Sequence, residues 1–137
     1  MELPIILVVE DDQLIQGLIE EALNEGGFDT AIVASGEEAL SLLNGNTDKY
    51  RALVTDISLD GKIEGWEVAR HAREITPEFP VIYMSGASVE DWGSKGVPNS
   101  LILAKPFAPA QLVTAISNLL NAATPTTSAT GSQDQGR

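Results

Sequence analysis

Four short, mostly apolar runs each end at a polar side chain, and this pattern most constrains the fold. The runs are Ile5 to Val9, Ala52 to Thr55, Val81 to Met84 and Leu101 to Ala104. The residues that end them are Glu10 and Asp11, then Asp56, then Ser85, and finally Lys105. Short apolar runs rich in β-branched residues are typical of strands buried on both faces of a parallel sheet. Because such sheets carry their sites at the carboxyl ends of the strands, we predict one site that gathers these polar residues.

Helical patterns alternate with these strands. Apolar residues recur at helical spacing between Asp12, a predicted N-cap, and the pair Gly26-Gly27. The remaining predicted elements are a strand from Phe28 to Ala34, a helix opened by the capping box Ser35-Gly36-Glu37-Glu38, a helix ending at Ile75 before Pro77, a brief helix within Ser88 to Ser94, and a last helix starting near Pro109. Five strands alternating with five helices predict a flavodoxin-like doubly wound (βα)5 fold. Its five-stranded parallel sheet has the order 2-1-3-4-5, with helices on both faces.

Composition limits the classes of function. The chain has 137 residues, of which 43% are hydrophobic, so we expect one domain at residues 1–122 and a disordered polar tail at residues 123–137. A formal net charge of -12 argues against nucleic acid or an anionic membrane as partner. The absence of cysteine excludes thiolate chemistry, and the single histidine excludes a polyhistidine metal site. The first residues carry no basic, apolar leader, so we expect a cytoplasmic protein.

The predicted site concentrates negative charge. Two carboxylates about 4 Å apart repel each other by roughly 4 kcal/mol at an effective dielectric near 20. Three of them, from Glu10, Asp11 and Asp56, therefore need a cation, and a hard divalent ion together with Lys105 would supply the charge. We expect Asp56 to be ionised at neutral pH and thus to be an oxygen nucleophile.

At this point the sequence resembles the receiver domain of bacterial two-component response regulators, of the stand-alone, single-domain type. The matching pieces are Leu7-Val8-Val9-Glu10-Asp11-Asp12, Asp56, Met84-Ser85-Gly86 and Lys105-Pro106-Phe107. The resemblance covers residues 5 to 122. Each piece is common by itself, but four in this order at predicted strand ends are specific.

The resemblance implies a role for each of these residues. Asp56 would accept a phosphoryl group from a sensor histidine kinase or a histidine phosphotransfer protein. Mg²⁺ would be held by Glu10, Asp11, Asp56 and the backbone carbonyl of Ser58. Ser85 and the Gly86 amide would bind phosphoryl oxygens, and Lys105 would pair with the acylphosphate and precede a cis peptide bond. These residue types suit phosphoryl transfer, which needs a positioned nucleophile and neutralisation of charge.

Two features depart from the family pattern. The loop from Asp56 to Gly65 lacks the usual proline and is one residue longer than the commonest form, which makes the metal-binding carbonyl of Ser58 less certain. Ile102 stands where many receivers carry an aromatic switch residue. We expect Ser85 and Ile102 to form the switch that alters the face made by the fourth helix, the fifth strand and the fifth helix. With no further domain expected, the output would be a contact with an unknown downstream protein, a phosphorelay or a phosphate sink.

Two other functions remain open. The chain could be a degenerate receiver that binds partners without phosphorylation, as the unusual loop suggests. It could also be a small phosphatase with an aspartyl nucleophile, although the acids after the first strand are adjacent and there is no room for a cap domain. In the leading hypothesis it is not an enzyme beyond catalysing its own phosphoryl transfer and autodephosphorylation. Of the remaining polar and aromatic residues, we interpret Asp60 as a loop acid, His71 as a surface residue, and Trp66 and Trp92 as packing or interface residues.

Overall fold

Five parallel strands form the central sheet of the protein. The computed structural model describes residues 3–86 and 89–123. The strands are β1 (Ile5–Val9), β2 (Asp29–Val33), β3 (Ala52–Asp56), β4 (Val81–Ser85) and β5 (Leu101–Ala104). Their order is β2-β1-β3-β4-β5, which confirms the predicted topology. β3 and β4 each end one residue later than predicted, at Asp56 and Ser85, because each of these residues still pairs with a neighbouring strand.

Five α-helices connect or follow the strands. They are α1 (Gln13–Glu25), α2 (Gly36–Asn46), α3 (Gly65–Ile75), α4 (Trp92–Lys95) and α5 (Pro109–Ala123), with 3-10 turns at Thr47–Lys49 and Val89–Asp91. Asp12 caps α1 as predicted, since its Oδ1 accepts hydrogen bonds from the Leu14 and Ile15 amides at 2.9 and 3.3 Å. The brief helix predicted within Ser88 to Ser94 lies later, because residues 89–91 form a 3-10 turn first.

The last helix continues one residue past the predicted domain boundary at residue 122. The predicted disordered tail otherwise falls on residues 124–137, which lie outside the described residues. No helix in the described ranges is long and apolar enough to cross a membrane.

Alternating side chains of the sheet build two apolar layers. Leu7 and Val9 of β1 pack on one face, against α2 and α3, whereas Ile6 and Val8 pack on the other, against α1 and α5. All four are fully buried. This two-sided burial explains why the strand sequence is continuously apolar rather than alternating. The polar residues at the strand ends therefore lie where the two layers stop.

Strand register brings the polar ends together. Asp56 pairs with Met84, Ser85 pairs with Ala104, and Val9 pairs with Thr55. Because all strands run in one direction, the residues after β1, β3, β4 and β5 meet at one edge of the sheet. The neighbouring positions of β1 and β3 place Glu10 and Asp56 side by side.

Candidate functional site

An open cleft lies at the carboxyl edge of the sheet. Its volume is ≈ 340 Å³. The lining residues are Glu10, Asp11, Asp12, Ile15, Asp56, Ser58, Met84, Ser85, Gly86 and Lys105. Every predicted site residue except Ile102 thus borders one cavity, as the strand-end argument predicted.

Two buried carboxylates share one lysine at the base of this cleft. Glu10 is fully buried and Asp56 is 4% exposed. The Nζ of Lys105 lies 2.9 Å from Oε1 of Glu10 and 2.6 Å from Oδ1 of Asp56. The Lys105 amide donates to the Ser85 carbonyl at 2.8 Å, and the Lys105-Pro106 peptide bond is cis, as the resemblance implied. The lysine therefore neutralises part of the acid charge before any ligand enters.

Glu10 is held by three further hydrogen bonds, one each from the turn after β1, from α1 and from β2. The Asp12 amide donates to Glu10 Oε2 at 2.9 Å, and Nε2 of Gln16 donates to the Glu10 carbonyl at 2.5 Å. The Glu10 amide donates to the Val33 carbonyl of β2 at 3.0 Å. Only the Asp12 amide stabilises the charged carboxylate, whose neutral form burial would otherwise favour, whereas the other two hydrogen bonds fix the Glu10 backbone. Sequence reasoning missed Gln16, because a glutamine on a helix carries no signal of what it contacts.

Burial and mutual repulsion separate the proton affinities of the two acids. Burial, and then the adjacent Glu10 carboxylate, raise the pKa of Asp56 from its ordinary 3.8 to about 8, against the lowering effect of Lys105. Burial would also raise the pKa of Glu10, but hydrogen bonds with Asp56, the Asp12 amide and Lys105 hold it below its ordinary value. The sequence-based expectation that Asp56 is ionised at neutral pH did not include this rise in pKa, which burial beside Glu10 causes. Without a metal, the site therefore disfavours two charged carboxylates side by side, and Asp56 is the acid whose proton affinity rises.

The donor set of the cleft suits a hard cation. Glu10, Asp11 and Asp56 each offer one carboxylate oxygen, and these oxygens all lie within 4.8 Å of one another. Carboxylate oxygens are the ligands that Mg²⁺ and Ca²⁺ prefer. The raised pKa of Asp56 also indicates that the cleft favours a cation, because a buried carboxylate beside another acid needs either a proton or a further positive charge. The residues present therefore fit the divalent ion that the sequence predicted.

The other predicted residues occupy different parts of the cleft. Ser85 is buried at the end of β4, whereas Ser58 and Gly86 are exposed at the mouth. Ile102 lies away from the cleft, half-buried on β5, and packs against the apolar layer shared with α2 and α3. A direct contact of Ile102 with the site is therefore not part of this structure.

The two tryptophans pack as predicted. The rings of Trp66 and Tyr83 are 4.8 Å apart in the core. Trp92 is half-buried, and its Nε1 donates to Ser100 Oγ at 2.9 Å. His71 is half-buried on α3, and its Nε2 lies 2.6 Å from Oδ1 of Asn44. These residues join elements of the fold and do not reach the cleft.

An apolar groove adjoins the cleft between α1 and the start of α5. Its volume is ≈ 420 Å³. The lining residues are Ile15, Leu18, Ile19, Ala22, Lys105, Pro106, Phe107, Pro109 and Leu112. Ile15 and Lys105 border both cavities. On the outer side of α1, Leu14 is 82% exposed and Leu18 is 58% exposed, so an apolar surface reaches the mouth of the cleft.

Comparison with known proteins identifies the family to which this chain is similar. The family described as "Response regulator receiver domain" matches residues 6–117. A response regulator receiver protein of Sinorhizobium medicae has a crystal structure that is similar with a TM-score of 0.85 and 43% identity, covering 88% of this chain and 97% of that one. The response regulator receiver protein CpdR of Brucella abortus is 30% identical over 120 residues, which cover 86% of this chain and 98% of that protein.

A further solved structure concerns the metal. The receiver domain of the sensor histidine kinase PA1611 from Pseudomonas aeruginosa, which has a magnesium ion coordinated in its active site cleft, is 25% identical with a TM-score of 0.75, covering 88% of this chain and 99% of that one. Other curated relatives are longer, and the chain spans about half of their length. Receiver domains are signalling modules of two-component systems that histidine kinases phosphorylate. Because the family model matches residues 6–117, most of the chain, this chain belongs to the response regulator receiver domains.

Proposed function

We propose that the chain accepts a phosphoryl group on Asp56 in a Mg²⁺-dependent reaction. The donor would be a phosphohistidine of a sensor histidine kinase or of a phosphotransfer protein. The observation that carries this proposal is the position of Asp56 at the base of an open cleft, with Lys105 at 2.6 Å and two further carboxylate oxygens within 4.8 Å. A nucleophilic oxygen, a cation and a metal-binding set thus surround one point.

Different residues of the cleft would bind the metal, attack phosphorus and pair with the transferred group. Glu10, Asp11 and Asp56 would hold Mg²⁺, with the Ser58 carbonyl as a further ligand from the loop. When bound, Mg²⁺ neutralises charge on the phosphoryl oxygens and competes with the proton on Asp56. A carboxylate oxygen of Asp56 attacks phosphorus, the O–P bond forms, and the N–P bond to the donor histidine breaks. Lys105 is already beside the attacking carboxylate and can pair with the transferred group.

Ser85 and Gly86 border the same cavity at the end of β4. We assign the Ser85 hydroxyl and the Gly86 amide to phosphoryl oxygens, as the family resemblance implied. An added Cβ at Gly86 would meet no atom within 4 Å, so no described neighbour crowds this exposed position. The roles of these two residues are part of the proposal.

The response would spread from Ser85 along β4 and β5. Tyr83, two residues before Ser85, is fully buried, and its hydroxyl accepts a hydrogen bond from the Val97 amide at 3.1 Å. Ile102 packs in the same apolar layer as Tyr83 and Trp92. We propose that movement of Ser85 towards a phosphorylated Asp56 is transmitted through this layer to the face of α4, β5 and α5, where an unknown downstream protein would bind.

The phosphodonor needs a surface beside the mouth of the cleft. A donor histidine can reach Asp56 only if its protein contacts the rim, and the exposed Leu14 and Leu18 of α1 with Phe107 supply apolar area there. A contiguous exposed apolar patch is characteristic of a protein contact, whereas single exposed apolar residues are common on any surface. We therefore assign this groove to the histidine-bearing partner.

The direct test is covalent modification by acetyl phosphate, read by intact mass. The wild-type protein with Mg²⁺ should gain one phosphoryl group, and chelation of the metal should prevent the gain. Asp56→Asn should gain none, whereas the matched loop variant Asp60→Asn should be modified like wild type. Modification of Asp56→Asn would mean that another residue is the acceptor.

Two other outcomes would favour the alternative functions. If wild type binds Mg²⁺ but neither acetyl phosphate nor beryllofluoride modifies it, the chain is a receiver that binds partners without phosphorylation. Steady turnover of small phosphomonoesters, abolished by Asp56→Asn, would instead support a phosphatase.

A second prediction separates docking from chemistry. Leu14→Glu with Leu18→Glu should slow phosphoryl transfer from a phosphorylated kinase or phosphotransfer protein by at least about tenfold, because two contacts worth about 1 kcal/mol each are lost. The rate with acetyl phosphate, which needs no docking, should not change. Glu20→Gln with Glu21→Gln, on the same helix, is the matched control. Equal slowing with both donors would place the defect in the cleft rather than in docking.

A further inference from the structure

We propose that Glu37, on α2 and outside the cleft, is a positioning residue that orients Asp11 through the loop between β3 and α3. This inference rests on the proposed Mg²⁺ site and deepens it. In the sequence, Glu37 belongs to the capping box that opens α2, and the loop from Asp56 to Gly65 is a separate departure from the family pattern. The structure links the two.

One end of the link is the metal-binding carboxylate. The backbone amide of Asp60, in the middle of the loop, donates to Oδ2 of Asp11 at 3.2 Å. Asp11 is half-buried and offers one oxygen to the cluster with Glu10 and Asp56. A hydrogen bond to one oxygen fixes the rotation of the carboxylate, which sets where its metal-binding oxygen lies.

The other end of the link is the first turn of α2. The Lys62 amide donates to Oε2 of Glu37 at 3.2 Å. Between the two anchored amides lies Gly61, whose φ of 97° lies in the left-handed region that favours glycine. An added Cβ at Gly61 would lie 3.1 and 3.2 Å from the two carboxylate oxygens of Glu37. The Glu37 carboxylate therefore contacts the turn at Gly61, which sets the orientation of the Asp60 amide.

Packing around the turn shows that the loop and α2 fit closely. An added Cβ at Gly36, the first residue of α2, would lie 2.7 Å from the side chain of Ile63 and 2.9 Å from its carbonyl oxygen. Ile63 and Leu59 are half-buried and pack against the apolar layer of α2 and α3. The loop is thus supported from below by apolar contacts and held from the side by Glu37. Without the carboxylate, the turn at Gly61 would lose its only side-chain acceptor among the hydrogen bonds described for residues 61 and 62.

The consequence concerns metal affinity. Partners that orient a metal ligand from outside the coordination sphere are worth about 10- to 100-fold in affinity. Because Glu37 acts through a backbone segment and two exposed hydrogen bonds, we expect the lower end of this range. The effect should depend on an acceptor oxygen at position 37 and not on its charge, since an amide oxygen can also accept from the Lys62 amide.

The experiment compares Glu37→Ala, Glu37→Gln and the neighbouring control Glu38→Gln in the full chain. Glu38 carries the same charge on the same turn, but bonds Ser35 rather than the loop. Mg²⁺ affinity is measured by calorimetry, and amide hydrogen exchange of Asp60 and Lys62 is measured in metal-free protein. Glu37→Ala should weaken Mg²⁺ binding about tenfold and speed exchange of both amides. Glu37→Gln should restore both properties, and Glu38→Gln should resemble wild type.

Each contrary result has a distinct meaning. Wild-type Mg²⁺ affinity in Glu37→Ala would overturn the inference while leaving the metal site in place. Equal losses in Glu37→Ala and Glu37→Gln would also overturn it, because they would show an effect of charge alone. Failure of the wild-type protein to bind Mg²⁺ would overturn the proposed metal site itself. The exchange of the two amides would then still report whether Glu37 holds the loop.

Discussion

Asp56→Asn is expected to raise the free energy of unfolding of the metal-free protein by about 2 kcal/mol at neutral pH. Asp56 is 4% exposed and touches Glu10, which is fully buried, so two carboxylates share one lysine. An Asn side chain has nearly the same shape. Its oxygen can accept from Lys105 while its NH₂ group donates to Glu10, so the folded variant avoids repulsion between two carboxylates without the proton uptake that Asp56 needs. For a domain of this size the gain corresponds to about 8 °C in Tm.

The pH dependence of this gain follows from the raised pKa of Asp56. A carboxyl group with a folded-state pKa of about 8 and an ordinary value of 3.8 binds more protons when folded. Its contribution to stability is therefore fully present below the ordinary value and is lost as pH rises through the folded value. Because Asn does not titrate, wild type and variant should be equally stable near pH 4, and the difference should grow until about pH 8.

Urea unfolding with a chelator, from about pH 4 to about pH 8, measures this difference. Asp60→Asn serves as control, since Asp60 is an exposed loop acid and its replacement should change little. Excess Mg²⁺ should narrow the gap, because binding to the native state stabilises wild type by mass action and the variant has lost a ligand. A variant less stable than wild type at pH 8 would show that the Asp56 carboxylate is well compensated in the metal-free cleft.

Much of this architecture follows from local sequence. Continuous apolar runs such as Ile5 to Val9 predict strands buried on both faces, and Asp12 before an apolar helical period predicts the N-cap. Parallel strands then require a common edge, so Asp56 and Lys105 could be placed in one site although 49 residues separate them in the sequence. These predictions succeed because each depends either on the spacing of apolar residues along the sequence or on the common direction of parallel strands.

What sequence could not supply depends on three-dimensional distance. The pKa of Asp56 is raised by its burial beside Glu10, and the residues that flank these two acids in the sequence carry no signal of that contact. The hydrogen bond between Glu37 and the loop could not be predicted from the sequence for a similar reason, since Glu37 and Lys62 are 25 positions apart. The bounds of α4 were misplaced because a helix of four residues has too little periodicity to fix its register.

Lys105→Met should have the opposite effect to Asp56→Asn, destabilising the metal-free protein by about 3 kcal/mol at neutral pH. Methionine keeps most of the apolar stem but removes the ammonium group that lies 2.9 Å from Glu10 and 2.6 Å from Asp56. Both acids then remain buried without a cation, and they can relieve the charge only by taking up protons. The loss should therefore shrink as pH falls towards the ordinary pKa of the carboxyl groups.

A double variant tests whether the three groups act as one electrostatic unit. In an Asp56→Asn background, Lys105→Met should cost less than it does alone, because only Glu10 is left uncompensated. Lys62→Met, which removes an exposed lysine from the loop, is the matched control for net charge. Additive losses would show that Lys105 and Asp56 do not interact energetically in the metal-free cleft. A coupled loss would show that Lys105 interacts with Asp56 in the resting cleft, so the proposed pairing of the ammonium with a phosphoryl group would have to replace that contact.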